Sequence, residues 1–191
     1  MPITRLKYLL TLALALYLSA CANTPSHVII APDLKTTQGL YYNEQQTQLD
    51  VVDMRTANHI VQILREGEAA TLISAQDPLE NTIKQTLTAQ WQKQGLKVSS
   101  LATNTIQIAI KKAVISVSQQ TMNYQSQTEI ILKVTVNNGQ QTLTTTLKNR
   151  GNSKGPLKAD IAVLERHFNQ RLTSLLQNTL SNKEIHTILL K

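Results

Sequence analysis

The sequence predicts an α+β fold: an antiparallel sheet of about six or seven strands, two main helices packed on one face, and a short C-terminal helix. Three observations predict it. Strand-like segments stand in groups before and after the first helical segment, which argues against a purely alternating βαβ order. Two segments carry apolar residues at helical spacing. An Asn-Gly pair joins two alternating segments, as in a β-hairpin.

Residues 1–20 have the layout of a secretory signal peptide. Arg5 and Lys7 precede an apolar run, 9–18, that is too short to span a bilayer, and small residues follow it. The sequence LSAC, ending at Cys21, resembles a bacterial lipobox. This resemblance implies cleavage after Ala20 and attachment of lipid to the Cys21 sulfur. The alternatives are an ordinary signal peptide with an incidental cysteine, or a short buried helix with a core cysteine.

The segment after the cleavage site is expected to be a lipidated tether, 21–27, followed by a single α+β domain, 28–191. Its six residues after the cysteine reach at most about 20 Å when extended, so the domain should lie close to its membrane. By resemblance to Gram-negative sorting signals, Ala22 in place of an aspartate implies the outer membrane.

Composition narrows the possible partners. The chain has 19 basic and 12 acidic residues. Removing residues 1–20 takes away two basic residues and leaves a charge of about +5, which favours an anionic lipid or an acidic partner and gives no argument for nucleic acid. Cys21 is the only cysteine, so neither a disulfide nor a cysteine metal site is expected once it is lipidated.

The first half of the chain is predicted to hold four strands. Pro32 ends the first strand, and the polar segment 33–48, with Tyr41 and Tyr42, is predicted to be a loop. Glu66-Gly67 is a hairpin signal between the third and fourth strands. The predicted strands are 27–31, 49–55, 59–65 and 69–74.

The first helix is indicated by both its ends and its face. Asp77 is a candidate N-cap, Pro78 suits the first helical position, and Gly95 suits the end. Apolar residues recur every fourth position and define one buried face: Leu79, Ile83, Leu87 and Trp91.

The second half begins with a strongly alternating segment, 105–118. Its apolar residues move from even to odd positions at Lys111-Lys112, which predicts a β-bulge there. Strands 129–136 and 141–148 flank Asn138-Gly139, whose tolerance of positive φ predicts a type I′ hairpin. Residues 149–156 are predicted to be a loop.

Two helices are predicted to close the chain. Pro156 should open a long helix whose apolar residues are spaced by three and four. A capping box from Ser181 to Glu184 should start the short last helix. The apolar face of the long helix is formed by Leu157, Ile161, Leu164, Phe168, Leu172 and Leu175.

Several exposed groups are candidates for contacts. A basic run without a nearby acid could touch an anion or an acidic partner, or could simply be solvated: Lys148, Arg150, Lys154 and Lys158. Lys111 and Lys112 could act similarly, or protect a sheet edge. The pair Tyr41-Tyr42 could anchor an interface, or one of its rings could cap the core.

The sequence gives no pattern of convergent catalytic groups, so no enzyme, cofactor or metal is expected. The four histidines lie apart in the sequence: His27, His59, His167 and His186. The carboxylate pairs Glu66 with Glu68, and Asp50 with Asp53, fit solvated side chains better than acid–base machinery.

A family resemblance adds to this interpretation. The lipobox, the segment HVIIAP after it, the segment TLISAQDPLENTIKQTLTAQWQKQGLKV and the end IHTILLK are similar in order and spacing to the YajG-like lipoproteins of Gram-negative bacteria. The resemblance covers nearly the whole chain. That family has no assigned activity, so it implies only Cys21 as a functional residue.

We therefore expect a lipid-anchored, periplasm-facing outer-membrane lipoprotein that acts as a non-enzymatic envelope interaction module, with a membrane and an envelope protein as partners. The alternative is a binding module for a small envelope ligand, such as a cell-wall fragment, which needs a pocket with a few inward polar groups. A hydrolase would need two or more convergent side chains.

Overall fold

A computed structural model describes residues 26–35, 39 and 41–190. Its elements, in chain order, are β1 His27–Val28, β2 Gln46–Asp53, β3 His59–Arg65, β4 Thr71–Ala75, α1 Leu79–Lys93, β5 Lys97–Val98, β6 Thr105–Gln119, β7 Asn123–Asn137, β8 Thr142–Pro156, α2 Ile161–Leu180 and α3 Lys183–Leu189. None of these helices is long and apolar enough to cross a membrane.

The eight strands form one curved, half-barrel sheet built around β6. Along one edge β6 pairs antiparallel with β7 over its whole length, and β7 pairs antiparallel with β8. Along its other edge β6 is parallel to β2 in its first half and to β3 in its second half. β4 is antiparallel to β3, and the short β1 and β5 extend the sheet as parallel partners of β4 and β2.

The α+β class is confirmed, but the expectation of a purely antiparallel sheet is wrong, because the sheet is mixed. The parallel pairs join strands that are far apart in the sequence. The connection from β2 to β6 contains a hairpin and α1, which is long enough to return the chain to the same end of the sheet. The alternation of apolar and polar residues within one strand does not indicate which distant strand will pair with it.

The predicted bulge in β6 is confirmed. The register against β7 shifts between Ile110 and Lys112, and the side chains of both Lys111 and Lys112 are exposed. Because successive strand residues face opposite sides, the extra residue returns the apolar set to the core. The buried residues on the two sides of the bulge are Ile106, Ile108 and Ile110, then Ala113, Ile115 and Val117.

The predicted loop at 149–156 is wrong, because β8 continues as a strand to Pro156 and pairs with β7 throughout. Glycine makes this possible at two positions. A Cβ on Gly151 would lie 1.8 Å from the Arg171 guanidinium, and one on Gly155 would lie 2.7 Å from the Tyr124 ring. The side chains from neighbouring elements occupy the space above these glycines.

The hairpin between β7 and β8 is confirmed, but its connection has four residues instead of the two of a type I′ turn. Asn137 pairs with Thr142, so the loop spans 138–141. Gly139 has a φ of 84°. The Asn138 side-chain oxygen accepts hydrogen bonds from the backbone N–H groups of Gln140 (3.1 Å) and Gln141 (2.8 Å), which stabilises the longer turn.

Pro156 does not open the long helix, which begins at Ile161. Leu157 adopts a φ of 60° and is exposed, so it lies outside the helix that was predicted to bury it. Asp160 is the N-cap and accepts a hydrogen bond of 2.8 Å from the backbone N–H of Ala162.

The caps of the other two helices also differ from prediction by one residue. Pro78 occupies the N-cap position of α1, where Asp77 was expected. At α3 the cap is Asn182 instead of Ser181: its side-chain oxygen accepts from the backbone N–H groups of Glu184 (2.9 Å) and Ile185 (3.2 Å).

The buried side chains form one core between the helices and one face of the sheet. All four residues predicted for the apolar face of α1 are buried, and α2 buries the predicted residues from Ile161 to Leu175. Each fully buried aliphatic or aromatic side chain stabilises the fold by about 1.5–3 kcal/mol. Alternate residues of β7 face this core: Tyr124, Ser126, Thr128, Ile130, Leu132, Val134 and Val136.

Candidate functional site

The face of the sheet opposite the core, here called the outer face, carries two cross-strand rows of mainly uncharged polar side chains. Each row crosses β3, β6, β7 and β8 in register. The first row is Gln62, Ser116, Gln127 and Asn152, and the second is Leu64, Ser118, Gln125 and Lys154. All of these residues except Gln62 line a depression of about 710 Å³.

Next to these rows lies a three-residue ion cluster. Glu129 on β7 binds Lys112 on β6 and Arg150 on β8, with an N–O distance of 2.5 Å in each pair. The hydrogen bonds from Lys112, and then from Arg150, lower the pKa of Glu129 below its usual range. The positive charges of Lys112 and Arg150 are therefore committed to a carboxylate.

The predicted basic run is divided by the structure. Lys148, Arg150 and Lys154 lie at alternate, exposed positions of β8, and Lys158 follows in the connection to α2. Lys148 lies opposite Ile131, whereas Lys154 lines the depression. Contact of these four residues with an anion or a partner stays a prediction.

Asp53, one of the candidate acids, has a structural partner. Burial alone would raise the pKa of Asp53, but its hydrogen bonds with Arg55 outweigh that effect and hold the pKa below its usual range. The Arg55 side chain is 2.7 Å from the carboxylate and also donates to the carbonyls of His59 (3.3 Å) and Ala113 (3.1 Å). The pair thus links β2, β3 and β6.

The two adjacent tyrosines take different positions, as one of the sequence-based alternatives expected. Tyr42 is fully buried, and burial raises the pKa of its hydroxyl well above the usual value. Tyr41 is 42% exposed. His186 on α3 stacks on Tyr42 with ring centroids 4.8 Å apart and meets the Tyr41 ring edge-on at 5.8 Å.

A second cavity, of about 480 Å³, lies beside this aromatic group and is here called the Tyr41 pocket. His186 Nε2 is 2.8 Å from the Leu180 carbonyl, which can only accept, so Nε2 carries the proton. Gln94 is 2% exposed, and its side-chain oxygen has no hydrogen-bond partner among the described residues. The pocket is lined by Tyr41, Gln94, Leu180, Ser181, Lys183, His186 and Thr187.

Sequence reasoning missed the role of Gln94 and the grouping of His186 with the tyrosines. The backbone carbonyl of Gln94 accepts hydrogen bonds from Tyr41 (2.9 Å) and Tyr42 (3.2 Å), which brings the end of α1 to the tyrosines. These contacts join segments about 50 and 145 residues apart, and no local pattern indicates them.

The other titratable candidates are not brought together. His27 lies on β1, His59 on β3 and His167 on α2, while Glu66 and Glu68 lie at the β3–β4 turn. Across residues 26–35, 39 and 41–190, no group of three His, Cys, Asp or Glu side chains could hold a metal ion. Ala20 and Cys21 lie outside the described residues, so cleavage and lipid attachment stay predictions.

A sequence model of a family of uncharacterized lipoproteins matches residues 32–190. The chain belongs to this family. The resemblance to the YajG-like lipoproteins is thereby confirmed. Family membership implies a membrane-anchored protein of the cell envelope. No curated protein sequence matches the lipoprotein.

One solved structure supports the fold. Protein XCC0632 of Xanthomonas campestris is 12% identical, with a TM-score of 0.56 over 83% of this lipoprotein and 95% of that chain. At this identity the likeness concerns the fold alone. The rare lipoprotein B of Shewanella oneidensis is 8% identical, with a TM-score of 0.42 over 74% of this chain and 98% of its own.

Proposed function

We propose that this lipoprotein is held at the outer membrane by lipid on Cys21, faces the periplasm, and acts there without catalysis as an envelope interaction module. Its contact surface is the outer face of the sheet. The lipobox resemblance, Ala22 and the lipoprotein family support the anchoring. The depression on the outer face supports the interaction.

The depression is the observation on which the proposed interaction depends. Four strands place hydroxyl and amide groups there side by side, so a partner meets many donors and acceptors at fixed spacing. Uncharged polar groups lose less free energy on desolvation than charged ones do. Leu64 adds an apolar contact and Lys154 a single positive charge, a mixture that protein interfaces commonly have.

The position of the depression favours a protein partner over a small molecule. Small ligands are usually enclosed in clefts that bury most of their surface. The depression instead lies on an open sheet face, where a partner's surface or an extended segment can cover both rows at once.

Photo-crosslinking in living cells tests this surface. We would place p-benzoylphenylalanine at Gln127, which is exposed on the outer face, and at Gln85, which is exposed on α1. The proposal predicts a discrete adduct with an envelope protein from position 127 and none from position 85. An unmodified chain at position 127, at normal abundance in the membrane, would reject the outer face as the contact surface.

A second candidate function is binding of a small envelope ligand, such as a cell-wall fragment, in the Tyr41 pocket. The observation that favours it is the lining of this pocket, which combines an aromatic ring with polar side chains such as Ser181, Lys183 and Thr187. The exposed ring of Tyr41 offers a surface for a sugar ring.

Titration with soluble disaccharide-peptide fragments tests this second function. The only tryptophan, Trp91, lies in α1 three residues before Gln94, which lines the pocket, and its fluorescence serves as the readout. Binding predicts a saturable fluorescence change that Lys183→Ala weakens and that the control Lys84→Ala, at an exposed position of α1, leaves unchanged. A flat titration at millimolar fragment would reject this function.

A further inference from the structure

Three connections meet at one end of the sheet, here called the hairpin end. They are the β3–β4 turn, 66–70, the β6–β7 turn, 120–122, and the β8–α2 connection, 157–160. The strand register places them together, since Arg65 pairs with Gln119 and Asn123 pairs with Pro156. The opposite end, here called the far end, holds the 99–104 connection and the β7–β8 turn.

The N-terminal segment enters the sheet from the side of the hairpin end. β1 runs parallel to β4, with His27 beside Ser74 and Val28 beside Ala75. β4 itself starts at Thr71, directly after the β3–β4 turn, and runs away from the hairpin end. β1 therefore also runs away from the hairpin end, and the described chain begins on that side.

The tether has the length needed to bring the anchor to this end. His27 is six residue steps after Cys21, a distance of at most about 20 Å when the chain is extended. His27 and His59 both pair with Ser74, so they lie at the same level along the strands. From His59 to Arg65, at the hairpin end, β3 advances by six residues, which is also about 20 Å.

The far end lies beyond this reach. Arg55 donates to the carbonyls of both His59 and Ala113, which places these two residues at the same level of the sheet. From Ala113 back to Thr105, the first residue of β6, the strand covers eight residues, or about 26 Å. A membrane that holds Cys21 is therefore closer to the hairpin end.

The hairpin end presents large apolar side chains to solvent. Met122 is 70% exposed and Leu157 is 63% exposed, and they are neighbours because the Leu157 N–H donates to the Met122 carbonyl at 2.8 Å. Leu72, which is also exposed, lies on β4 close to the same end, one residue after the start of that strand at Thr71.

Hydrogen bonds of the Gln119 side chain hold the Met122–Leu157 pair in place. The Gln119 side-chain amide donates to the carbonyls of Leu157 (2.8 Å) and Asn123 (3.1 Å), and its oxygen accepts from the N–H of Ala159 (2.9 Å). Leu157 is fixed at a φ of 60°, a conformation that leucine rarely adopts. Such strain persists where surrounding contacts enforce it, and it is common at functional surfaces.

The charges at this end are nearly balanced. Lys158 follows Leu157 directly and Asp160 lies in the same connection, whereas Glu66 and Glu68 lie at the β3–β4 turn with Arg65, which is 3.7 Å from Glu68. Lysines beside exposed apolar side chains suit the phosphates of a bilayer surface. Because the acids offset them, apolar contact should dominate, and added salt should weaken the contact little.

We propose that the hairpin end is a membrane-contact surface: it rests on the phospholipid layer that holds the lipid of Cys21, with Met122 and Leu157 dipping between the headgroups. This inference rests on the proposed anchoring. It gives the anchored body a fixed orientation, with the outer face upright and open to the periplasm. The Tyr41 pocket then points away from the membrane, because Asn138 at the far end donates to the carbonyl of Ile188 in α3.

A single-thiol fluorescence experiment tests the contact. Lipidation consumes the Cys21 thiol, so Met122→Cys and Leu101→Cys each give the lipidated chain one free thiol. Leu101 is the matched control: it is also apolar, is 91% exposed and lies at the far end. Each variant is labelled with an environment-sensitive nitrobenzoxadiazole dye and placed in phosphatidylethanolamine–phosphatidylglycerol vesicles.

The proposal predicts that the dye at position 122 emits at shorter wavelength in vesicles and is quenched by nitroxide-labelled lipids, with little change in 0.5 M salt. The dye at position 101 should be quenched only by iodide in the water. Equal iodide quenching at both positions overturns the membrane contact. Flotation of the same vesicles tests the anchor separately: protein that floats with a water-exposed dye at 122 rejects the contact surface alone, and protein that does not float rejects the anchoring.

Discussion

Individual residues decide how closely α2 approaches the edge strand β8. Gly151 leaves the space that the Arg171 guanidinium occupies, and from there Arg171 donates to the Asn149 side chain (3.1 Å) and to the Arg150 carbonyl (3.0 Å). Asn149 donates back to the Arg171 carbonyl at 3.3 Å. One missing side chain thus permits a set of contacts between a strand and a helix.

Gly151→Ala should displace the Arg171 side chain and destabilise the domain. We expect a loss of about 1–3 kcal/mol in the free energy of unfolding, because hydrogen bonds at a half-buried site are broken. Urea unfolding of the soluble domain measures it. Asn152→Ala, on the exposed side of the same strand, is the control and should change stability by less than about 0.5 kcal/mol.

A double-mutant cycle separates this cause from a general effect of alanine in the strand. In an Arg171→Ala background the space above Gly151 is empty, so Gly151→Ala should no longer destabilise the domain. If both backgrounds lose the same free energy, the Arg171 contact does not explain the glycine.

The ion cluster of Glu129 predicts a pH dependence at the same scale. Lys112 and Arg150 lower the folded-state pKa of Glu129, so its contribution to stability is present above the unfolded pKa, about 4.3, and is lost as pH falls through the lower folded pKa. Glu129→Gln should therefore destabilise the domain at pH 7 and have little effect at pH 2.

Urea unfolding of wild type and Glu129→Gln at the two pH values measures this difference. Glu66→Gln is the control, because Glu66 makes no ion pair with any described residue. A Glu129→Gln deficit that is as large in acid as at neutral pH would show that the carboxylate charge is not its cause.

At the scale of elements, the sequence predicts what local periodicity contains. The buried face of α1, the bulge in β6 and the β7–β8 hairpin were all predicted, because each depends on residues within about ten positions. The parallel pairs of β6, the extension of β8 to Pro156 and the late start of α2 depend on contacts with distant segments, such as Arg171 above Gly151. The Tyr41 pocket was missed for the same reason, since it joins α1, α3 and the tyrosine pair.

The bulge gives a sharp prediction about deletions. Removing Lys111 leaves Ile110, Lys112 and Ala113 in strict alternation, so both buried halves of β6 keep facing the core without a bulge. We expect this deletion variant to fold cooperatively, with a modest loss of stability. Removing Val114 instead keeps the bulge and turns Ile115 and Val117 outward.

Circular dichroism and thermal unfolding compare the two deletions. The Lys111 deletion should keep a cooperative transition, and the Val114 deletion should abolish it, because apolar residues near the centre of the sheet would face water. Loss of folding in both variants would mean that the bulge is required for the fold itself and is not an added residue.

At the scale of the whole molecule, a compact body on a tether of a few residues is confined to a shell near its membrane. If the protein is anchored through Cys21 and faces the periplasm, as proposed, the tether cannot carry the domain across that compartment, so a partner must come within about 20 Å of the lipid layer plus the length of the domain. The proposed contact at the hairpin end would also fix which face such a partner meets. The outer face and the Tyr41 pocket both remain accessible in that orientation.

The central claim is the lipid on Cys21, and mass spectrometry of the N-terminal peptide tests it most directly. The protein would be extracted from separated inner and outer membranes of cells that make it at native level. The account predicts a chain that begins at Cys21, carries a diacylglyceryl thioether and an acylated amine, and is found in the outer membrane. A mature chain that begins elsewhere, or begins at Cys21 with a free thiol in the soluble periplasmic fraction, would contradict it.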